Sequence, residues 1–547
     1  MTDTVNIAER LAASARRYPD KKAVVWTAGR DGAGKATYAH VTFAELNQET
    51  DRYAHGFERV GIARGTRTIL FVKPGVEFFT AVFALFKVGA VPVMIDPGIG
   101  KQQMRLCLSE VEAEAFIGTP LAHLFRKLYP GAFKRIATAV TVGRRWGWGG
   151  LRWQDLRTDP WRCYETVRTQ ADDPAAILFT SGSTGPAKGV LYEHGVFDTQ
   201  VQYLNSQFGF SADEIDLPTF PLFALFDAAL GMTAVIPDMD FTRPGSVDPR
   251  RIVEPIVDHD ITHMFGSPAL LDRLSRYGEA NGITLPTVKR VMSAGAPVPP
   301  AVLERMQAML SDESEIHTPY GATEALPVAS IGSREILGDT RSATARGGGT
   351  CVGRPMAELD VRVIGIDDDP IAEWSDGLEV SQGVIGEIVV KGPVVTRSYY
   401  NRPDATRLAK IRDGDTIWHR MGDVGYFDDC GRLWFCGRKA HRVVTERATL
   451  FSVPCEAIFN EHPSVYRSAL VGVGEGSCQR PVVCIQLLEG HEGQASLTCE
   501  LLNFARANEL TKCIETILYH PSFPVDVRHN SKIFREKLAD WAAERLR

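Results

Sequence analysis

The chain has no apolar run long enough to span a membrane. Its longest apolar stretch, residues 78–95, is interrupted by Lys87 and Pro92, so it predicts a buried helix feeding a strand. The first 19 residues carry Asp3 and Glu9 and lack the apolar core of a signal peptide, which leads us to expect a cytoplasmic protein. Cysteine is not scarce but is badly spaced for metal. None of the 10 cysteines forms a CxxC pair, and the nearest neighbours, Cys430/Cys436 and Cys478/Cys484, are not clip spacings. Buried, reduced thiols are expected, as for Cys484 within an apolar run, although the skew of cysteines beyond residue 429 has no physical account. The chain also lacks an excess of one charge. Its 61 Lys and Arg oppose 67 Asp and Glu, for a net charge of −6 and no electrostatic footprint for duplex nucleic acid. Repeats and low-complexity tracts are absent. A 44% hydrophobic composition excludes disorder, and 547 residues exclude a disulfide-framework miniprotein.

What is present alternates between strand and helix patterns, the mark of α/β architecture. Residues 23–26, 68–72, 91–95, 175–179, 262–265 and 288–292 read as strands, and residues 76–88 as a helix. Thr42 and Glu45 form a capping-box signature that opens a helix with Leu46, Tyr53 and Phe57 inward. Beyond about residue 350 the texture changes to short strands with Gly and Asp turns, such as residues 386–392. The tail from Lys532 reads as a helix with Phe534, Leu538 and Trp541 on one face.

Two segments have the composition of phosphate loops. Gly29-Arg-Asp-Gly-Ala-Gly-Lys35 fits the spacing GxxxxGK, but Ala36 stands where a metal-binding hydroxyl belongs, and a strand pattern follows instead of a helix. It reads as a hairpin turn. The second segment, Phe179-Thr-Ser-Gly-Ser-Thr-Gly-Pro-Ala-Lys-Gly189, follows an apolar strand. Its glycines let backbone approach a polyphosphate, while Thr180, Ser181, Ser183 and Thr184 supply donors and Lys188 offsets charge. A merely flexible Gly/Ser loop explains Gly182 and Gly185 but neither the lysine nor the density of hydroxyls.

This loop resembles the phosphate-loop signature of the adenylate-forming superfamily, which includes acyl-CoA synthetases, peptide-synthetase adenylation domains and luciferases. Further motifs follow in the order of that family. Ser293-Ala-Gly295-Ala296-Pro297 resembles its adenine-side loop. Tyr320-Gly321-Ala-Thr323-Glu324 resembles the motif in which Tyr stacks on adenine, Thr meets phosphate and Glu holds Mg²⁺. Met421-Gly-Asp423 resembles the motif whose Asp binds the ribose hydroxyls, and Gly437-Arg438 the domain junction, with Arg near ribose. Asn530-Ser-Lys532-Ile-Phe-Arg535 resembles the C-terminal segment that bears the catalytic lysine. The resemblance implies ATP and Mg²⁺ as cofactors. It also implies a large N-terminal domain of α/β subdomains with a small β-barrel-like subdomain over residues 1–437, and a small mobile α+β lid over 438–547.

The chemistry suits the residues. Carboxylate attack on the α-phosphate of ATP brings two anions together, so it needs a metal, a lysine and a dipole-rich loop. Departures from the family pattern narrow the substrate. In Phe220-Pro-Leu-Phe-Ala-Leu-Phe-Asp227, Ala224 replaces a histidine common near acyl pockets; the apolar run reads either as core or as the wall of an alkyl-chain tunnel. Ala440 stands where a hinge Asp or Lys is usual. Residues 445–452 lack the glycine that lets a thiol arm pass, which argues against coenzyme A as acceptor. A β-hydroxyl within the substrate is the alternative nucleophile, closing a four-membered lactone.

Together with Ile-Pro-Asp-Met-Asp240 and Ile316-His-Thr-Pro-Tyr-Gly-Ala-Thr-Glu324, these features most resemble the olefin β-lactone synthetases of bacterial hydrocarbon synthesis. That resemblance implies a long-chain 2-alkyl-3-hydroxy acid substrate and thiolase-like, reductase and decarboxylase partners. Asp227 or His317 could assist the hydroxyl, or serve as structural hydrogen bonders. A long-chain acyl-CoA ligase and a degenerate nucleotide-binding scaffold remain as other readings. His259 and His263 have helical metal-pair spacing, but His263 falls in a strand pattern, so no zinc site is expected there.

Overall fold

The computed structural model describes residues 5–179, 187–474, 476, 478–493, 495–525 and 533–547. A 7-stranded sheet forms one lobe, in the order Leu151–Arg152, Thr138–Thr141, Ala115–Gly118, Arg67–Phe71, Val91–Ile95, Pro174–Phe179 and Gly189–Glu193. All its pairings are parallel except the last. Val91–Ile95 is buried along its whole length, the pattern of a parallel strand covered on both faces. The helix Val76–Lys87 is apolar and buried nearly all round. Its buried charge, Lys87, ends on Asp51 at 2.6 Å and on the Asn47 side chain at 2.8 Å, which explains how a lysine sits inside the longest apolar stretch.

A 14-stranded sheet forms the second lobe. Its parallel centre is Thr233–Ile236, Ile215–Pro218, His263–Phe265, Arg290–Met292 and Glu315–Ala322. Lys22–Arg30 joins one side of this centre, and Ala36–Thr42 pairs antiparallel with it. The decoy loop is therefore the turn of this hairpin, closed by the Asp31 N–H donating to the Lys35 carbonyl at 2.9 Å. On the other side the chain doubles back as Ala325–Gly332. From there Thr350–Pro355, Leu433–Arg438, Thr416–Phe427, Gly386–Lys391 and Asp360–Ile364 follow, antiparallel throughout. The expected barrel-like part is thus continuous with the second α/β sheet rather than a detached unit.

The last strand of this sheet ends at Arg438, and an α+β unit follows. A hairpin of Val443–Val444 and Thr449–Leu450 leads to a 3-stranded sheet of Val465–Val473, Arg480–Leu487 and Thr516–Tyr519, packed by the helices Ser452–Asn460, Ala495–Arg506 and Arg535–Leu546. In the tail helix Leu538 and Ala542 are buried against Val471, Val482 and Cys484, with Trp541 at the edge. Phe534 lies outside that cluster, under the Lys537 ammonium. All ten cysteines are free, but only five are buried: Cys107, Cys351, Cys436, Cys455 and Cys484. Cys478, Cys499 and Cys513 sit on the outside of the small unit, so the expectation of buried thiols holds for half of them. No helix among the described residues is long and apolar enough to cross a membrane. His259 caps a helix C-terminus while His263 lies in a strand, and no metal-binding cluster occurs among the described residues.

Candidate active site

The parallel strands of the second lobe end at one level, where open α/β sheets place their ligands. Ser293, Gly295, Ala296 and Pro297 leave the end of Arg290–Met292, and the Ser293 N–H donates to the His317 carbonyl of the adjacent strand at 2.9 Å. Gly295 takes φ +93°, a conformation that disfavours any other residue. Next to it, Glu315–Ala322 runs out through Tyr320 into the turn at Thr323 and Glu324. Gly321 is required there, because a Cβ would sit 2.6 Å from the Ala325 carbonyl oxygen.

Tyr320, Asp423 and Arg438 form one connected group. The Tyr320 hydroxyl donates to Asp423 Oδ2 at 2.6 Å, and Arg438 Nη1 lies 3.0 Å from Asp423 Oδ1. Asp423 and Arg438 are direct cross-strand partners, so sheet register sets their approach. Burial pushes the Asp423 carboxyl upward, opposed by Arg438 and the Tyr320 hydroxyl. Three motifs spread over more than a hundred residues thus meet in one hydrogen-bonded cluster.

A second cluster gathers around Glu324. Its Oε1 accepts from the Tyr399 hydroxyl at 2.5 Å, and its carbonyl accepts from Thr396 N and Oγ1 at 2.9 and 3.1 Å. The Tyr192 hydroxyl donates to the Thr323 carbonyl at 2.7 Å. Lys188 lies over the Tyr399 ring, its Nζ 4.9 Å from the centroid, so the end of the predicted phosphate loop and the acidic turn share one tyrosine. Tyr399 sits there because the chain around it bridges the lobes: Val190 pairs with Tyr399 in the first sheet and Ala325 with Val395 in the second. Behind it Lys410 is buried, donating to the Thr396 carbonyl. Burial lowers its pKa to about 7 against the pull of Glu324 and Glu193, and burial raises Glu193 to about 7 against Arg397 and Lys410. None of Tyr192, Glu193, Tyr399 or Lys410 carries a local motif. For Tyr192, Glu193 and Lys410 the one sequence signal is a polar group at a strand, and Tyr399 offers none.

Phe179 and Gly189, the flanks of the predicted phosphate loop, are antiparallel partners, so this loop closes a strand pair. Thr180, Ser181, Gly182, Ser183, Thr184 and Gly185 lie outside the described residues, as does Lys532.

The Phe220–Asp227 segment resolves into partly reachable aromatics above buried acids. Phe220, Phe223 and Phe226 are half-buried. Ring contacts run from Tyr192 to Phe197 at 4.7 Å, on to Phe226 and Phe223, and from Phe223 to Phe265 at 4.8 Å. This chain of rings starts at the tyrosine bound to Thr323. Asp227 is buried beside Asp216, and burial followed by that neighbouring carboxyl holds it well above the usual range. A carboxyl kept protonated donates a hydrogen bond and is a poor base. His317 is lowered by burial and packs edge-on to Phe208 at 5.6 Å.

Between Arg438 and the small unit, Gly437 takes φ +127°, and a side chain there would collide with Ser452. The segment without glycine forms a tight turn, the Thr445 N–H donating to the Ala448 carbonyl at 2.9 Å inside its hairpin.

Comparison with known proteins agrees with this geometry. A family model described as AMP-binding enzyme matches residues 11–400. The chain is 50% identical over 555 residues to an olefin beta-lactone synthetase of Stenotrophomonas maltophilia (strain K279a), covering 100% of this chain and 99% of the relative. It is 48% identical over 553 residues to the olefin beta-lactone synthetase of Xanthomonas campestris pv. campestris, covering 100% and 98%. Among solved structures, ATP-bound MatB from Rhodopseudomonas palustris superposes with a TM-score of 0.79 at 20% identity over 100% of both chains.

Proposed function

The chain belongs to the AMP-binding enzyme family, and on that premise we propose an ATP-dependent synthetase that converts a long-chain 2-alkyl-3-hydroxy acid into a β-lactone. A carboxylate oxygen of the acid attacks the α-phosphorus of ATP and expels diphosphate. The β-hydroxyl oxygen then attacks the activated carbonyl, loses its proton, and displaces AMP, which departs with one former carboxylate oxygen. Intramolecular attack gains from proximity and needs no tunnel for an external acceptor. The observation that carries this reading is likeness along the entire chain to the Stenotrophomonas synthetase, lobes and C-terminal unit together.

The site distributes the work as follows. Gly295, Ala296 and Pro297 flank the adenine with Tyr320, and Asp423 with Arg438 receives the ribose hydroxyls. The hydroxyls and amides of Thr180 to Gly185, with Lys188 and Thr323, take the phosphates. Glu324 suits Mg²⁺: the Tyr399 hydroxyl fixes the carboxylate yet uses one of about four lone-pair sites. When bound, the metal supplies charge neutralisation to the phosphate oxygens. Lys532 approaches the same centre from the unit formed by residues 438–547, which acts as a lid on residues 1–437. The ring chain from Tyr192 to Phe265 forms the wall for the alkyl chains, the sharper of the two readings of the Phe220 run. Upstream, thiolase-like and reductase chemistry must supply a 2-alkyl-3-hydroxy acid; downstream, a decarboxylase takes the lactone to an olefin. The expected setting is the cytoplasm.

Mass spectrometry of products tests this assignment. With ATP, Mg²⁺ and a synthetic 2-alkyl-3-hydroxy acid, lactone and AMP form without coenzyme A. A strict thiol requirement with thioester as sole product would transfer the chain to the acyl-CoA ligases. Absence of any acid-dependent exchange of diphosphate into ATP would make it a nucleotide-binding scaffold.

A further inference from the structure

The helix Pro120–Leu128 is oriented opposite to an ordinary surface helix. Its buried side is His123, with Ala122, Phe125 and Arg126 partly buried. Its outward side is Leu121, Leu124 and Leu128, at i, i+3 and i+7, exposed by 74%, 44% and 65%. A monomer gains nothing by presenting three leucines of one helical stripe to water, and contiguous apolar patches mark interaction sites. Neighbouring segments add further exposed apolar groups. Trp148 stacks on His123 at 5.4 Å and supports Trp146, which is 53% exposed. At the C-terminal end, Leu106, half exposed, lines a cleft of about 290 Å³ with Tyr129 and Ala132.

Charge identifies the partner. Residues 120–152 contain seven Lys and Arg and no Asp or Glu, in a chain whose net charge is −6. Glu112, from the neighbouring helix, pairs with Arg135 at 3.2 Å. Lys127, Lys134, Arg144 and Arg145 are exposed and make no ion pair among the described residues. An outward leucine stripe, an exposed tryptophan and an unopposed basic rim are the composition of a helix that lies in a lipid interface.

We infer that this face docks the protein peripherally on an anionic lipid surface, leucines and Trp146 in the acyl boundary and the basic rim among headgroup phosphates. The surface stands apart from the reaction assigned above; that reaction gives it a use, since a long-chain acid and its lactone both partition into lipid.

Sedimentation of the full-length protein with vesicles tests the inference. Binding is expected to phosphatidylcholine vesicles containing phosphatidylglycerol, to be absent with phosphatidylcholine alone, and to weaken with salt. Each basic charge is worth about fivefold in partition, so Arg144→Gln/Arg145→Gln weakens binding about 25-fold. Leu121→Ser/Leu124→Ser/Leu128→Ser weakens it at least as much. Both variants retain wild-type adenylation of a soluble short-chain acid, since none of these residues touches the active site. Failure to bind phosphatidylglycerol vesicles, or undiminished binding by both variants, overturns the inference. So does light scattering that shows the leucine variant dissociating an oligomer while vesicles bind neither protein, because the face would then belong to a second copy.

Discussion

Glu324 is held by a tyrosine that arrives from another part of the chain, and this defines what its substitution should do. Glu324→Gln keeps an oxygen for the Tyr399 hydroxyl but removes the charge. It should lower acid-dependent diphosphate exchange by about 100-fold or more while leaving the unfolding midpoint unchanged, measured across Mg²⁺ concentrations. Loss of the fold would instead assign Glu324 a structural role. Lys410 makes a separate prediction. Its folded pKa, about 7, lies below the ordinary lysine value of 10.5. Between these values the unfolded chain holds a proton that the folded chain has lost, so Lys410 adds stability as pH rises from 7 to 10.5 and penalises the fold below that window. Burial carries Glu193 from 4.5 to about 7, so stability from that group falls as pH rises through that lower range, where the unfolded carboxyl has ionised and the folded one still holds its proton. Thermal unfolding of Lys410→Met should lose the upward slope above pH 7; an unaltered profile would contradict the buried-cation account.

This scale is also where the sequence was least informative. The motif residues Tyr320, Asp423 and Arg438 announce themselves locally, and the fold only had to bring them together. Tyr192 and Lys410 lie in strands with no motif and Tyr399 in an isolated bridge, and their roles depend on a link between two sheets that no local spacing reveals.

At the level of elements, most segments could be read before the fold was seen. Thr42 does cap the helix Phe43–Arg59 with Glu45 in return, and the glycine-rich decoy is a hairpin turn. The continuity of the antiparallel strands with the second α/β sheet was not legible, because long-range strand pairing leaves no periodic trace. The helix Ala224–Leu230 and the rings before it support a test of the alkyl wall. Phe223 contacts Phe220 and Phe265 while remaining half-buried. Phe223→Ala removes an aromatic contact worth about 1.5–3 kcal/mol, so kcat/KM for a long-chain acid should fall at least tenfold, with less change for a short one. Equal losses for both would return Phe223 to the core. At the junction, Gly437→Ala must adopt a φ that costs other residues about 1–3 kcal/mol and must displace Ser452. Urea denaturation should register that loss, and an unchanged midpoint would show that the junction relaxes freely.

For the whole molecule, the mechanism requires two bodies. Arg438 ends the last strand of the large sheet and the residues after it build an α+β unit, so under the proposed mechanism Lys532 and the predicted phosphate loop come from different parts of the chain. A length of 547 residues suggests several ordinary domains; instead the segment around Tyr399 bridges the two large sheets, and the candidate site residues gather there. The central claim is that one carboxylate oxygen passes to AMP before the β-hydroxyl closes the ring. A substrate labelled with ¹⁸O at both carboxylate oxygens tests it directly. AMP carrying one ¹⁸O and a lactone retaining the other in its carbonyl are expected. Unlabelled AMP beside a doubly labelled lactone would mean that ATP had activated the hydroxyl instead, and would contradict it.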